Sequence, residues 1–267
     1  MPATLALIQP PAGGMYRISR APGDPFDLPD WDRAGDDGTF GNRFDDPGAV
    51  LGIPRQERYR VVYCATQREA AFGEVTARFR LDPRLIQGLA GITDDDEPIE
   101  DTLNGIVDPL HHDHGLLGYD WLQRRRLGHT MIESDTLFVD IAHANSLAHL
   151  NVVLAPLFDS LDIREFDMSS VTGPSRRLTQ IASRYLFRQG FAGVRYTSRL
   201  GRNWDCWALF ENRYRHRMGF PSPGSTISPD DADLAAVAKR FGLSIELMRG
   251  QRHYLRPWQV PDAGPTG

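Results

Sequence analysis

Residues 60–75 read RVVYCATQREAAFGEV, a strand pattern that runs directly into a helix pattern. Its first six residues are mostly β-branched or aromatic and predict a buried strand, because such side chains suit a pleated surface packed on both sides. Thr66 and Glu69 follow at the T-x-x-E spacing. That spacing lets each side chain satisfy an orphan amide at the start of a helix. Ala70, Ala71, Val75 and Phe79 then run along the predicted helix, with Glu74 on the Ala70 side, bordering the apolar stripe. A carboxylate in that position needs a reason.

The flanking sequence extends the pattern of short strands and helices. Residues 15–20 (MYRISR) alternate well enough for a strand, and 21–38 form a loop rich in Pro, Gly and Asp. Residues 81–134 turn acidic, then histidine-rich (HHDH, 111–114), then basic at 124–126, with weak periodicity, and are expected as an insertion. A strand is expected over 136–141 and a helix over 146–158, its last turn disturbed by Pro156. A second helix, 175–189, closes at Gly190, and strands 191–196 and 204–211 are joined by a polar turn at a sheet end. Beyond Phe220, Ser228 and Pro229 can open a helix over 230–241 that stops at Gly242, before a short strand and a flexible Pro/Gly-rich tail. The expected class is α/β (α+β): one mixed-sheet domain over 15–220 with an insertion at 81–134. A small extension, 221–267, would pack through Leu234, Val237, Ala238 and Phe241 and be dispensable for chemistry.

Composition narrows the function. A chain of 267 residues with 41% hydrophobic content can bury a core, and a net charge of -5 disfavours direct binding to nucleic acid. Lys239 is the sole lysine, so the positive charge is almost all arginine, whose planar fork pairs bidentately with phosphate or carboxylate. GC-rich codons produce the same bias. The two cysteines, Cys64 and Cys206, form no CxxC, and reduced, buried thiols are expected. The first fourteen residues lack the pattern of a secretion signal, and the longest apolar stretch, around 150–158, is too short to span a membrane. A cytoplasmic protein with no membrane partner is therefore expected.

Several sites are excluded by pattern. There is no G-x-G, no Walker loop, no HExxH and no GxSxG. Adjacent histidines such as His111, His112 and His114 rarely point into one tetrahedron, so a solvated loop is expected there and no metal. Cys64 and Cys206 sit in apolar strands, which suits packing better than nucleophilic catalysis. Arg17, Arg43, Tyr63, Glu74 and Ser198 remain, and each taken singly reads equally well as a surface, core or turn residue.

Their order changes that reading. GNRFDDPG (41–48), VVYCATQREAAFGEV (61–75) and GVRYTSR (193–199) follow one another as in the RES-domain family, which this chain resembles over roughly residues 15–211. The family takes its name from an Arg, a Glu and a Ser, and the resemblance puts Arg43, Glu74 and Ser198 on those positions as the catalytic set. It also matches Arg17 to the first-strand arginine and Tyr63 to the tyrosine before the helix, so that Arg17, Arg43, Tyr63 and Ser198 are expected to bind NAD+. Thr197 stands where proline is common in the last motif.

What the resemblance implies is a fold similar to the ADP-ribosyltransferase toxins and a toxin that breaks the nicotinamide-ribosyl bond of NAD+. NAD+ would be its substrate, with no separate cofactor, ADP-ribose passing to water or phosphate. It implies an Xre-type helix-turn-helix antitoxin as partner, and leaves a homo-oligomer open. The chemistry suits the residues. Bond cleavage passes through an oxocarbenium-like state that a carboxylate stabilises, and nicotinamide leaves without needing an acid. Arginine forks hold a diphosphate, and an aromatic ring stacks on nicotinamide. Two alternatives stay open at this point: a mono-ADP-ribosyltransferase acting on a protein, and a non-catalytic nucleotide-binding module.

Overall fold

A computed structural model describes residues 4–81, 115–219, 223–248 and 251–253 of the chain. In chain order its strands are β1 (Leu7–Ile8), β2 (Met15–Arg20), β3 (Val61–Ala65), β4 (Leu116–Leu117), β5 (Arg125–Thr130) and β6 (Phe138–Asp140). They continue with β7 (Gly193–Thr197), β8 (Asp205–Phe210), β9 (Ser225–Thr226), β10 (Ser244–Met248) and β11 (Gln251–His253). The helices are α1 (Arg68–Thr76), α2 (Tyr119–Gln123), α3 (Ala144–Leu154), α4 (Phe158–Leu161), α5 (Met168–Thr172), α6 (Arg177–Arg188) and α7 (Ala232–Phe241). Two compact units result, one of residues 1–71 and 126–225, the other of residues 72–125 and 226–267.

The sheet that organises the first unit is eight-stranded and mixed, in the order β1-β6-β7-β8-β3-β2-β5-β9. β6 and β7 run parallel, while β3 pairs antiparallel with β8 along its whole length, from Val61 against Phe210 to Ala65 against Cys206. Side chains alternate across a strand, and here both faces are apolar. Val61, Val139, Val194, Ala208 and Phe210 point into one core. Their neighbours Val62, Cys64, Phe138, Trp207 and Leu209 point into another. The first core is closed by helices: Leu178, Ile181, Ala182 and Leu186 recur along one side of α6 and are all buried in it, as the helical period requires.

In the second unit, α7 is capped by Asp231, whose carboxylate accepts from the amides of Asp233 and Leu234. The helix ends at Gly242 in the left-handed conformation, φ 65°. Leu234, Val237 and Ala238 are fully buried along its inner side. β10 pairs parallel with β4 and antiparallel with β11, and Glu246 of β10 accepts the Tyr119 amide at 2.7 Å.

The structure differs from the sequence expectations in three places with identifiable causes. Residues 125–130, inside the stretch expected as an insertion, form β5 beside β2 in the large sheet. Its burial follows Leu127, Gly128 and Thr130 rather than every second residue, so no period of two marks it. The cap of α7 is Asp231 and not Ser228, which instead closes a turn on the Asp230 amide. The helix expected to reach Phe158 gives way at Leu154 to a 3₁₀ turn over Ala155–Leu157, where Pro156 lacks the amide that would continue it. Among the described residues no helix is long and apolar enough to cross a membrane.

Candidate functional site

The loop at 41–48 is built from its own aspartates. Asp45 Oδ2 accepts the Asn42 amide at 2.6 Å, and Asp46 Oδ1 accepts the Gly48 amide at 2.8 Å, two local bonds that fold the chain back on itself. Gly48 is required: its φ is +59°, and a Cβ there would lie 2.8 Å from the Asp37 carbonyl oxygen. Helix α6 then holds the loop. Gln180 Nε2 donates to Asn42 O at 2.9 Å, Ser183 Oγ to Phe44 O at 2.6 Å, and Arg184 Nη1 to Asp46 Oδ2 at 2.9 Å. These three residues lie at i, i+3 and i+4, so one side of one helix fixes three points of the loop.

Arg43 is thereby aimed. Its Nη2 donates to Gly173 O at 2.6 Å and Thr172 O at 3.4 Å, at the C-terminal end of α5, where carbonyls lack helical partners. Its Nη1 is buried and has no hydrogen-bond partner. Burial holds the pKa of this guanidinium below its ordinary value, and the nearby charges of Arg199 and Arg176 lower it further.

Tyr63 reaches the same loop from β3. Its hydroxyl donates to Asp45 Oδ1 at 2.9 Å and accepts the Phe44 amide at 2.9 Å, so both functions of the oxygen are used to brace the loop. Burial pushes the Tyr63 phenol well above its usual range and raises the Asp45 carboxyl as well, against the bonds from Asn42 and Tyr63 that favour its charged form.

Ser198 begins the turn after β7. It is buried, its amide donates to Trp204 O at 2.9 Å, and its oxygen accepts the Leu200 amide at 3.0 Å. Tyr196 packs its ring 4.8 Å from that of Phe44, and Arg199 lies within electrostatic reach of Arg43. Ser198 is therefore bracketed by residues that meet the 41–48 loop. The sheet end that carries it is tied together by Arg195, which pairs with Asp140 at 3.0 Å and with Asp205.

Arg43, Tyr63 and Ser198 thus share one neighbourhood, while Arg17 lies on the other face of the sheet. Arg17 projects from β2 on the Cys64 side of the sheet, with Tyr214, Cys64, Asp27 and Asp24 as its electrostatic neighbours. Burial lowers its pKa, and its Nη1 is also buried without a hydrogen-bond partner. It does not share a face with Tyr63. Glu74 lies on the exposed side of α1, in the part of that helix belonging to the second unit. Thr66, expected to cap α1, engages the Trp207 indole N–H at 2.9 Å, and the helix begins at Arg68.

Sequence reasoning missed Asp45, Gln180, Ser183 and Arg176. The signal for the first was inside the quoted GNRFDDPG. For Gln180 and Ser183 it was polar residues within the otherwise apolar side of a helix. No group of three or more potential metal ligands occurs among the described residues, and His111, His112 and His114 lie outside them.

A family model described as the RES domain matches residues 15–230. Among solved structures, the chain is similar to one described as the crystal structure of the M. tuberculosis MbcT-MbcA toxin-antitoxin complex. The likeness has 13% sequence identity, covers 88% of this chain and 91% of that one, and has a TM-score of 0.44. No curated protein matches.

Proposed function

The chain belongs to the RES-domain family, and on that premise we propose that it cleaves NAD+ at the nicotinamide-ribosyl bond and passes ADP-ribose to water or phosphate. The observation that carries this reading is Arg43, with one arm fixed on carbonyl oxygens and the other buried without a partner. A charged donor buried without an acceptor is costly, and a bound anion is the simplest acceptor for it. A diphosphate supplies one with paired, charge-assisted bonds, and so positions the ribose beyond it.

In this reading Tyr63 braces the loop with its hydroxyl and offers its ring to nicotinamide, and Ser198 bonds the ribose or the carboxamide. Glu74 is the carboxylate that stabilises positive charge developing on the ribose, a role assigned from its match to the family's glutamate. Arg17 stays in the proposal as an NAD+-binding residue because of its own partnerless arm, but not on the phosphate that Arg43 holds. Because such an activity would drain the NAD+ of its own cell, a restraining antitoxin of the Xre helix-turn-helix type is part of the proposal.

Purified protein incubated with NAD+ and no acceptor protein should release nicotinamide, followed by chromatography with and without phosphate. Formation of ADP-ribose phosphate only when phosphate is present would identify the acceptor. NAD+ left intact under both conditions would overturn the reaction. Normal growth and undiminished NAD+ in cells expressing the chain alone would overturn the need for an antitoxin.

A further inference from the structure

Arg43 does not stand alone. The guanidinium of Arg176 lies over the loop that carries it: a Cβ built on Gly41, two residues before Arg43, would be 3.6 Å from Arg176 Nη1. Arg199 stands in the turn after β7, three residues past Tyr196, whose ring packs 4.8 Å from that of Phe44 in the same loop, and its charge is felt at Arg43. Several other arginines of the chain sit on carboxylates: Arg60 on Glu211, Arg184 on Asp46, Arg195 on Asp140 and Asp205, Arg217 on Asp135. Among the described residues none of Arg43, Arg176 and Arg199 has such a pair. The loop's own carboxylates are committed, Asp45 to Asn42 and Tyr63, Asp46 to Gly48 and Arg184.

Arg176 also occupies the N-cap of α6 and gives that helix end no side-chain acceptor. The amides of its first turn therefore add to the positive potential at the same place. Like charges gathered without counter-charge repel one another in the empty protein, and the repulsion turns to attraction when a ligand brings several negative charges.

We propose that Arg176 and Arg199 complete, with Arg43, a three-armed anion clamp, and that these two residues set the preference of the site for ligands bearing a diphosphate over those bearing one phosphate or none. Arg43 is the fixed arm, half-buried and held by its Nη2 on the carbonyls of Thr172 and Gly173. Arg176 and Arg199 are exposed arms, free to close on the second phosphate as it arrives. The inference rests on the reading of this site as one for NAD+, and adds the residues that read its charge.

The test uses the full chain and the uncleavable probes ADP, AMP and adenosine, titrated by calorimetry at two salt concentrations. The wild type should bind ADP more tightly than AMP, and AMP more tightly than adenosine, with the ADP affinity falling as salt rises. Arg176→Gln and Arg199→Gln should each weaken ADP binding by roughly tenfold, the usual effect of one charge-assisted contact. Each should lessen its salt dependence and leave adenosine binding unchanged. Both side chains are exposed, and thermal melts would confirm that the variants fold. Wild-type affinity for ADP in both variants, or no preference of the wild type for ADP over adenosine, would overturn the clamp. If NAD+ is cleaved while the variants bind ADP normally, the clamp alone fails. If they lose ADP as expected while the wild type cleaves nothing, the proposed reaction alone fails.

Discussion

Replacing Tyr63 by phenylalanine separates its two roles, because the ring remains and only the hydroxyl is lost. That oxygen donates to Asp45 Oδ1 and accepts from the Phe44 amide, each at 2.9 Å. The substitution leaves a buried carboxylate short of one donor and an amide without an acceptor. A hydrogen bond to a charged group is worth about 1.5–3 kcal/mol, and a buried amide left unsatisfied costs about 1–3 kcal/mol. Partial rearrangement of the loop makes the two less than additive, so a loss of about 2–4 kcal/mol is expected. In a domain of this size each kcal/mol lowers Tm by about 2–4 °C, so the melt followed by circular dichroism should move down by roughly 5–15 °C. A Tyr63→Phe protein melting within a degree of the wild type would refute the role of the hydroxyl as the brace of the 41–48 loop, whatever the ring does for a ligand.

Three further outcomes follow from the same contacts. Ser183 has one hydroxyl proton, which Phe44 O receives, so Tyr59 must donate to Ser183 at 2.6 Å; Ser183→Ala should therefore cost about 2–4 kcal/mol in urea titration, and a loss under 1 kcal/mol would contradict the assignment. Burial pushes the Cys64 thiol up to about 12, so at pH 8 only about one molecule in ten thousand carries the thiolate; a thiol reagent should spare Cys64 until denaturant is added, and rapid labelling of the folded chain would count against it. Burial raises the Asp45 carboxyl, so its contribution to stability is present at acid pH and lost as pH rises through the folded pKa; carbon NMR titration should place its midpoint above the ordinary aspartate range, and a midpoint at or below that range would remove this slope.

Local sequence carried much of the fold because its signals are local. The strand-into-helix reading of 60–75 placed β3 and α1, and the apolar spacing of Leu178, Ile181, Ala182 and Leu186 placed α6 on its core. β5 was illegible, since its burial obeys contacts with distant chain, such as Gly128 pressed against Pro25, rather than a period of its own. The candidate site was legible as a set of residues but not as an arrangement. Nothing in the sequence says that Gln180, Ser183 and Arg184 grip a loop some 140 residues earlier, at 2.9, 2.6 and 2.9 Å. Nor does spacing reveal that Arg17 and Tyr63, on neighbouring strands, project to opposite faces, because register decides that and register is set by pairing.

If the proposed cleavage of the nicotinamide-ribosyl bond relies on Glu74 to stabilise the charge that develops, nicotinamide release at saturating NAD+ will separate the wild type from Glu74→Gln. Glutamine keeps the shape and removes the charge, so the variant should still bind NAD+ in calorimetry while its rate falls by about a hundredfold or more, equivalent to ~3 kcal/mol of barrier. An unchanged rate in Glu74→Gln would remove Glu74 from the reaction, and no nicotinamide from the wild type with either water or phosphate as acceptor would rule out the cleavage.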